Sequence, residues 1–208
     1  MGLEGFFFLL GVVSVLAVLA GLRAHRAVQA YGRSELFKSW ERYAQRHGFV
    51  LEAEPAYGVR PSLPQLASAG QLEAVRAVYT QTGTDTCVSR KPAISVLGTL
   101  VATTERRSAG QSESNMLTGD AAFDDAFVVT CKPGFLAERL LDREARRLLL
   151  GFRMGGAVVL EYERAKLSLT WRGGETNHAR LDEGRRLLAH LASRLEQPAE
   201  ARAAAVAG

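Results

Sequence analysis

Two cysteines and four histidines are all this chain of 208 residues offers of the side chains that most often bind metals or pair as nucleophile and base. Cys87 and Cys131 lie far apart, with no C-x-x-C or Cys/His pairing, which argues against a zinc framework and a redox dithiol. Buried, reduced thiols are expected, since free cysteine behaves as a small hydrophobe; a Cys87–Cys131 disulfide becomes plausible only for an exported domain. His25 and His47 fall near the N-terminal segment. His178 and His190 sit twelve residues apart on one expected helix, more than three turns, so they cannot share a small site unaided and read as helix-surface residues. The chain also lacks a G-x-S-x-G elbow, an H-E-x-x-H pair, a G-x-x-x-x-G-K-[ST] loop and a G-x-G-x-x-G fingerprint. No catalytic residue, cofactor site or metal site is therefore assigned.

Nor is there a large excess of charge of one sign. The balance of 26 basic against 22 acidic residues gives a net charge of +4 and a pI near 9.3. Much of the surplus is local: between Leu22 and Gly48, Arg23, Arg26, Arg33, Lys38, Arg42 and Arg46 face only Glu35 and Glu41. Beyond that segment the charges nearly balance, which leaves a nucleic-acid partner without the basic stripe it would need.

What the chain does have is one long uncharged run, Gly5 to Leu22, GFFFLLGVVSVLAVLAGL. As a helix it would span about 27 Å, close to the ~30 Å hydrocarbon core of a bilayer. Residues 5–22 are read as a transmembrane helix and 23–48 as a basic juxtamembrane segment with an amphipathic helix. The cations after the run, against none in Met1 to Glu4, place the following domain in the cytoplasm of a single-pass membrane protein. A cleavable secretory signal would carry its positive charge at the other end. Ala17 and Gly21 form a small-x-x-x-small pair through which two spans would self-associate.

In the juxtamembrane helix Ser34 is a candidate cap and Gly48 a stop, with Leu36, Trp40 and Tyr43 on one face beside Phe37 and Ala44. Two placements fit this face. It lies on the headgroup layer, with Arg23, Arg26, Arg33, Lys38, Trp40 and Tyr43 at the membrane interface, or it covers the strand expected at Phe49–Ala53.

Residues 49–196 are read as one soluble domain, and 197–208 as a disordered tail. Pro55, Gly58, Pro61 and Pro64 mark an irregular connection; Arg60 to Pro64 resembles an SH3-type ligand only superficially. Residues 72–105 are rich in β-formers and predict two or three antiparallel strands, with a bend or edge at Pro92 and a bulge at Gly98. A polar loop, Arg106 to Asn115, follows. Lys132-Pro133-Gly134 ends a further strand, and one helix is expected from about Phe135 to Phe152. Alternation of Val158, Leu160 and Tyr162, then Leu167, Leu169 and Trp171, predicts a hairpin over 157–172. A last helix, about His178 to Glu196, carries Leu181, Leu188, Leu191 and Leu195 on one stripe. The order implies an α+β fold: an N-terminal transmembrane helix, then one domain with a mostly antiparallel sheet and helices on one face.

The most distinctive stretch of the domain is Thr118-Gly119-Asp120-Ala121-Ala122-Phe123-Asp124-Asp125-Ala126-Phe127-Val128-Val129. Asp120, Phe123, Asp124, Asp125 and Phe127 are taken as the candidate functional motif. The carboxylates would in principle hold Mg²⁺ or Ca²⁺, but the spacing lacks the alternate-residue pattern of a calcium loop. The simpler expectation is that Asp120 and Asp124 satisfy turn amides while Phe123 and Phe127 anchor the turn in the core. With the helix, hairpin and Leu-rich helix that follow, residues 117–195 resemble an uncharacterised family of bacterial membrane-associated proteins carrying a T-G-D-x-x-F-D-x-x-F-x-V pattern. That resemblance implies architecture and a bacterial origin and leaves activity open.

Three functions remain on sequence grounds. The first is a binding or scaffolding module without chemistry, meeting a protein or lipid partner at the membrane. The second is an enzyme with a site built from scattered residues around Asp120, Asp124 and Asp125. The third is a lipid-surface sensor using the basic helix.

Overall fold

The computed structural model describes Val18 and residues 33–53, 63–80, 83–104, 115–153 and 155–197. The apolar run 5–22 lies outside these residues apart from Val18, as do Arg23, Arg26, the Pro55–Pro61 connection, most of the 106–115 loop and the tail beyond Gln197. Among the described residues, no helix is long and apolar enough to cross a membrane.

Eight strands form a single sheet: β1 (Val50–Ala53), β2 (Pro64–Ala67), β3 (Glu73–Thr80), β4 (Gly83–Arg90), β5 (Thr99–Thr103), β6 (Val128–Lys132), β7 (Val158–Glu163) and β8 (Lys166–Arg172). Their spatial order is β1-β2-β3-β4-β8-β7-β5-β6, every pair antiparallel. The helices are α1 (residues 33–47), α2 (Ala121–Ala126), α3 (Phe135–Leu140), α4 (Arg143–Arg153) and α5 (His178–Glu196). The α+β reading with a mostly antiparallel sheet therefore holds.

Alternation of side chains along the strands assigns the faces. Val75 and Ala77, Thr86 and Val88, Leu167, Leu169 and Trp171, and Val158, Leu160 and Tyr162 are all buried and share one face by register. The apolar members of that set join one cluster with Leu36, Trp40 and Tyr43 of α1, Phe123 of α2, Leu136 and Leu140 of α3, Leu149 and Phe152 of α4, and the α5 leucines 181, 187, 188, 191 and 195. The helices cover this face. The other face carries Arg76, Cys87, Ser89, Lys166, Ser168 and Thr170.

The placement of α1 corrects an expectation. Trp40 and Tyr43 are fully buried, so neither lies at a lipid interface. The Trp40 indole Nε1 donates to the Glu175 carbonyl at 2.7 Å, Tyr43 Oη donates to Asp182 Oδ1 at 2.6 Å, and Ser39 Oγ donates to the Thr176 carbonyl at 3.1 Å. Each is a polar atom on an otherwise apolar side of α1 that finds its partner on α5 or the loop before it, which fixes where the helix docks. Of the remaining interface candidates, Lys38 is exposed and pairs with Glu35 at 3.1 Å, while Arg33 is half-buried. Arg33 is already helical, so Ser34 is not the cap. Gly48 does end α1: at φ +68 it lets the Phe49 amide reach back to the Ala44 carbonyl at 3.0 Å, closing the helix and turning Phe49 into the core.

Three further differences have local causes. Pro64 opens β2 instead of belonging to an irregular connection; it pairs with Ala53 at the first position of the strand, where a missing N–H is tolerated. The single helix expected over 135–152 is two, because Asp142 Oδ1 accepts the Ala145 amide at 2.9 Å and caps α4, with Leu141 at φ −95, ψ 54 forming the corner. Gly98 precedes β5 rather than bulging within it, held at φ +146 against Pro133, the Lys132 carbonyl and Leu136. The cysteines are free. Cys87 on β4 and Cys131 on β6 are separated by β8, β7 and β5, about 19 Å at the usual strand spacing, far beyond disulfide reach.

Candidate functional site

The 118–127 motif folds into a capped turn. Asp120 precedes α2 in extended conformation, and its Oδ1 accepts the Phe123 amide at 3.3 Å while its Oδ2 meets Arg146 Nε of α4 at 3.2 Å. Asp124 accepts the Thr118 amide at 2.9 Å, the Thr118 hydroxyl at 2.8 Å and the Gly119 amide at 3.1 Å. Burial alone would raise the Asp124 pKa; these donors and the Arg146 charge outweigh it and hold the carboxyl below its ordinary range. Phe123 and Phe127 are buried and stacked at 4.8 Å between centroids. Asp125 is exposed.

This geometry leaves little for chemistry. Two of the three carboxylates are saturated by donors within the turn and by Arg146, and a carboxylate held below its usual range is a weak general base for the neighbouring Thr118 hydroxyl. Among the described residues, no group of three or more His, Cys, Asp or Glu side chains is placed to hold a metal ion. A cavity of about 360 Å³ does lie beside the motif, between Thr118, Glu138, Asp142, Arg143 and Arg146. Asp120, Asp124, Asp125 and His178 do not line it.

Two of the four charged groups at that cavity, Arg146 and Asp142, are tied into the scaffold, while Glu138 and Arg143 are exposed. Arg146 donates to the Leu141 carbonyl at 2.7 Å as well as to Asp120. Asp142 takes the Ala145 amide, His190 Nε2 at 3.0 Å and Arg194 Nε at 3.4 Å, joining α4 to α5. Burial would raise the Asp142 pKa, but the amide, His190 and Arg194 together depress it. A carboxyl whose folded pKa lies below its unfolded value of 3.8 contributes stability that is complete well above that pH and is lost as pH falls through the folded value. Asp142→Asn is expected to cost about 2 kcal/mol near neutral pH and to flatten the acid side of the stability profile. Urea midpoints between pH 2 and 7, the ~pH span of carboxylate titration, check both; parallel wild-type and variant profiles would refute the assignment.

The histidines read as helix-surface residues instead link helices. His178 Nε2 sits 3.0 Å from Ser39 Oγ and 2.9 Å from its carbonyl, with its ring edge-on to Tyr43 at 5.2 Å; His47 lies 4.3 Å from Tyr43. Tyr43 also accepts from Arg185 Nη1 at 3.1 Å, and Arg185 Nη2 reaches the buried Glu73 at 3.0 Å. Burial and the Asp182 hydrogen bond raise the Tyr43 pKa, so the phenol keeps its proton and donates it to Asp182. This seam crosses from α1 through α5 to β3. It is a fastening that ties three elements together, although Arg185 Nε and Glu73 Oε1 are buried without a hydrogen-bond partner among the described residues.

The sequence reading missed a set of exposed apolar side chains around the motif. Leu97 is 93% exposed, Leu117 77% and Phe135 51%, with Ile94 at 52%. The segments that bear them converge: Gly98 abuts Pro133 and Leu136, and Met116 Cε reaches the position of Gly134. The 91–98 segment is pinned rather than loose. The Val96 amide donates to Tyr162 Oη at 2.9 Å, Tyr162 Oη donates to the Val96 carbonyl at 2.7 Å, and the Ala93 amide donates to Glu196 at 2.9 Å. Apolar composition alone does not separate these positions from core ones; only the fold turns them outward. No family model, curated protein or solved structure matches the chain.

Proposed function

We propose that the chain is a single-pass membrane protein whose α+β domain docks a protein partner through the apolar edge formed by Leu97, Leu117 and Phe135, without chemistry of its own. The observation that carries this is an ordered edge bearing exposed large apolar side chains beside a motif whose buried parts are spent on structure. Apolar groups held outward by a fixed backbone lose little entropy on docking, and they gain by leaving water. The enzyme alternative loses its centre, because Asp120 and Asp124 are occupied by backbone amides and Arg146. The lipid-sensor alternative loses its aromatic anchors, because Trp40 and Tyr43 are buried in the domain.

The location follows from the run at 5–22 and the cations behind it, which favour a cytoplasmic domain at a cell membrane. With α1 docked on α5, only residues 23–32 separate the proposed span from the folded unit, so the domain is held close to the bilayer.

The test is a pull-down from detergent-solubilised membranes with the anchor intact, comparing the native chain with Leu97→Ser/Leu117→Ser/Phe135→Ser. Loss of three apolar anchors is expected to weaken capture by about 100-fold or more, while the circular dichroism spectrum stays unchanged. The same partner captured equally by both chains would remove the proposal. Fractionation addresses the anchor separately: the full chain is expected with membranes and a chain starting at residue 33 in the soluble fraction.

A further inference from the structure

A second cavity lies on the face of the sheet opposite the helices, remote from the apolar edge, and its chemistry is different. It measures about 190 Å³ and is lined by the cations Arg76, Arg90, Lys91 and Lys166 together with small and apolar residues such as Ala67, Leu72, Ala74 and Ser89. The register explains the crowding of cations. Antiparallel pairing sets Ala74 beside Ser89 and Ser89 beside Ser168, so β3, the end of β4 and the start of β8 deliver Arg76, Lys91 and Lys166 to one hollow floored by small residues. Arg90 also lines the hollow, but its guanidinium is paired with Glu73 at 3.5 Å.

We propose that this hollow binds a phosphate group, held by Arg76, Lys91 and Lys166. No carboxylate lines it. Glu163 stands opposite Lys166 in the β7–β8 register, but its side chain is 63% exposed and meets Arg164 at 3.5 Å. Arg76 Nε is buried and donates to nothing among the described residues. A buried guanidinium N–H without an acceptor is costly, and an anion in the cavity would satisfy it. Burial lowers the Lys166 pKa most, and the nearby Arg76 and Lys91 charges lower it further against an opposing contribution from Cys87, which agrees with cations placed close together. A dianion would accept from Arg76 Nε and offset the repulsion among the cations. The small volume fits a compact anionic group rather than a whole nucleotide or cofactor, and a planar guanidinium beside two ammonium groups matches phosphate oxygens.

A phosphate group reaches such a site free in solution, on a small metabolite or on a lipid headgroup. Calorimetric titration of the full chain in neutral detergent, with inorganic phosphate and with dihexanoyl phosphatidic acid as separate probes, tests the proposal and distinguishes these sources. Saturable binding of one equivalent is expected, weakened tenfold or more by Arg76→Gln and by Lys166→Gln and unchanged by Lys38→Gln, an exposed cation on α1. Should Arg76→Gln fail to fold, Lys166→Gln and Lys91→Gln carry the comparison. Equal affinity for the two probes supports a free phosphate group, and a tenfold preference for phosphatidic acid supports a headgroup. No saturable heat with either probe, or an equal loss in Lys38→Gln, overturns the proposal.

Discussion

Replacing Trp40 with alanine is expected to cost about 4 kcal/mol of folding stability, the range seen when a large aromatic is deleted from a packed core. The side chain is fully buried, and its indole N–H is the donor that satisfies the Glu175 carbonyl at 2.7 Å. Truncation therefore opens a cavity and leaves a backbone acceptor unpaired. Against the ~5–15 kcal/mol of net stability usual for a domain, that is a large fraction. Urea unfolding of the full chain in neutral detergent measures it, and Trp171, the second of only two tryptophans, remains as the reporter. A loss below about 1 kcal/mol, the size of surface effects, would mean that α1 is not part of the domain's core.

Gly98→Ala is expected to be nearly as damaging, at about 3 kcal/mol, from backbone strain and overpacking together. A Cβ there would collide with the Leu136 side chain and come within 2.5 Å of the Lys132 carbonyl and 2.8 Å of Pro133 Cδ, at a φ of +146 that L residues rarely adopt. Backbone cannot yield as a flexible side-chain tip can. Because Gly98 joins the 91–98 segment to α3, the variant is also expected to disturb the edge that bears Leu97 and Phe135. Denaturant midpoints for Gly98→Ala and for Thr99→Ala, at an exposed neighbour, separate the collision from ordinary surface change. Equal midpoints would show that the two segments are not in close contact at Gly98.

The legible parts of this fold are those in which one period dominates. The leucine stripe of α5 and the alternation of β7 and β8 give their elements and buried faces directly, since each apolar position repeats at the spacing its element imposes. What lies hidden is decided by single polar or conformational choices. Asp142 diverts an otherwise continuous Leu/Arg-rich helix by capping its second half. The β7–β8 turn, made by Arg164 and Ala165 at φ values of 50 and 57, carries no glycine, so that hairpin is read from its alternating strands and not from its turn. The insertion of that hairpin between β4 and β5 has no sequence signature, because pairing partners are chosen by tertiary packing. The same limit governs the sites. Asp120 and Asp124 as satisfiers of turn amides, and Phe123 and Phe127 as anchors, follow from the chemistry of a capped turn. The outward Leu97, Leu117 and Phe135 and the converging Arg76, Lys91 and Lys166 come from separate segments, and only the folded sheet brings each set together.

The central claim is that the domain meets a protein through the edge of Leu97, Leu117 and Phe135 while its motif carboxylates and α1 aromatics serve the fold. Site-specific photo-crosslinking in intact membranes tests it most directly, with the photoreactive residue placed at Leu97, at Leu117 and, as a control on the outer side of α1, at Arg42. The account predicts one protein adduct shared by positions 97 and 117 and absent from position 42. Lipid adducts alone at 97 and 117, or the same protein adduct from all three positions, would contradict it.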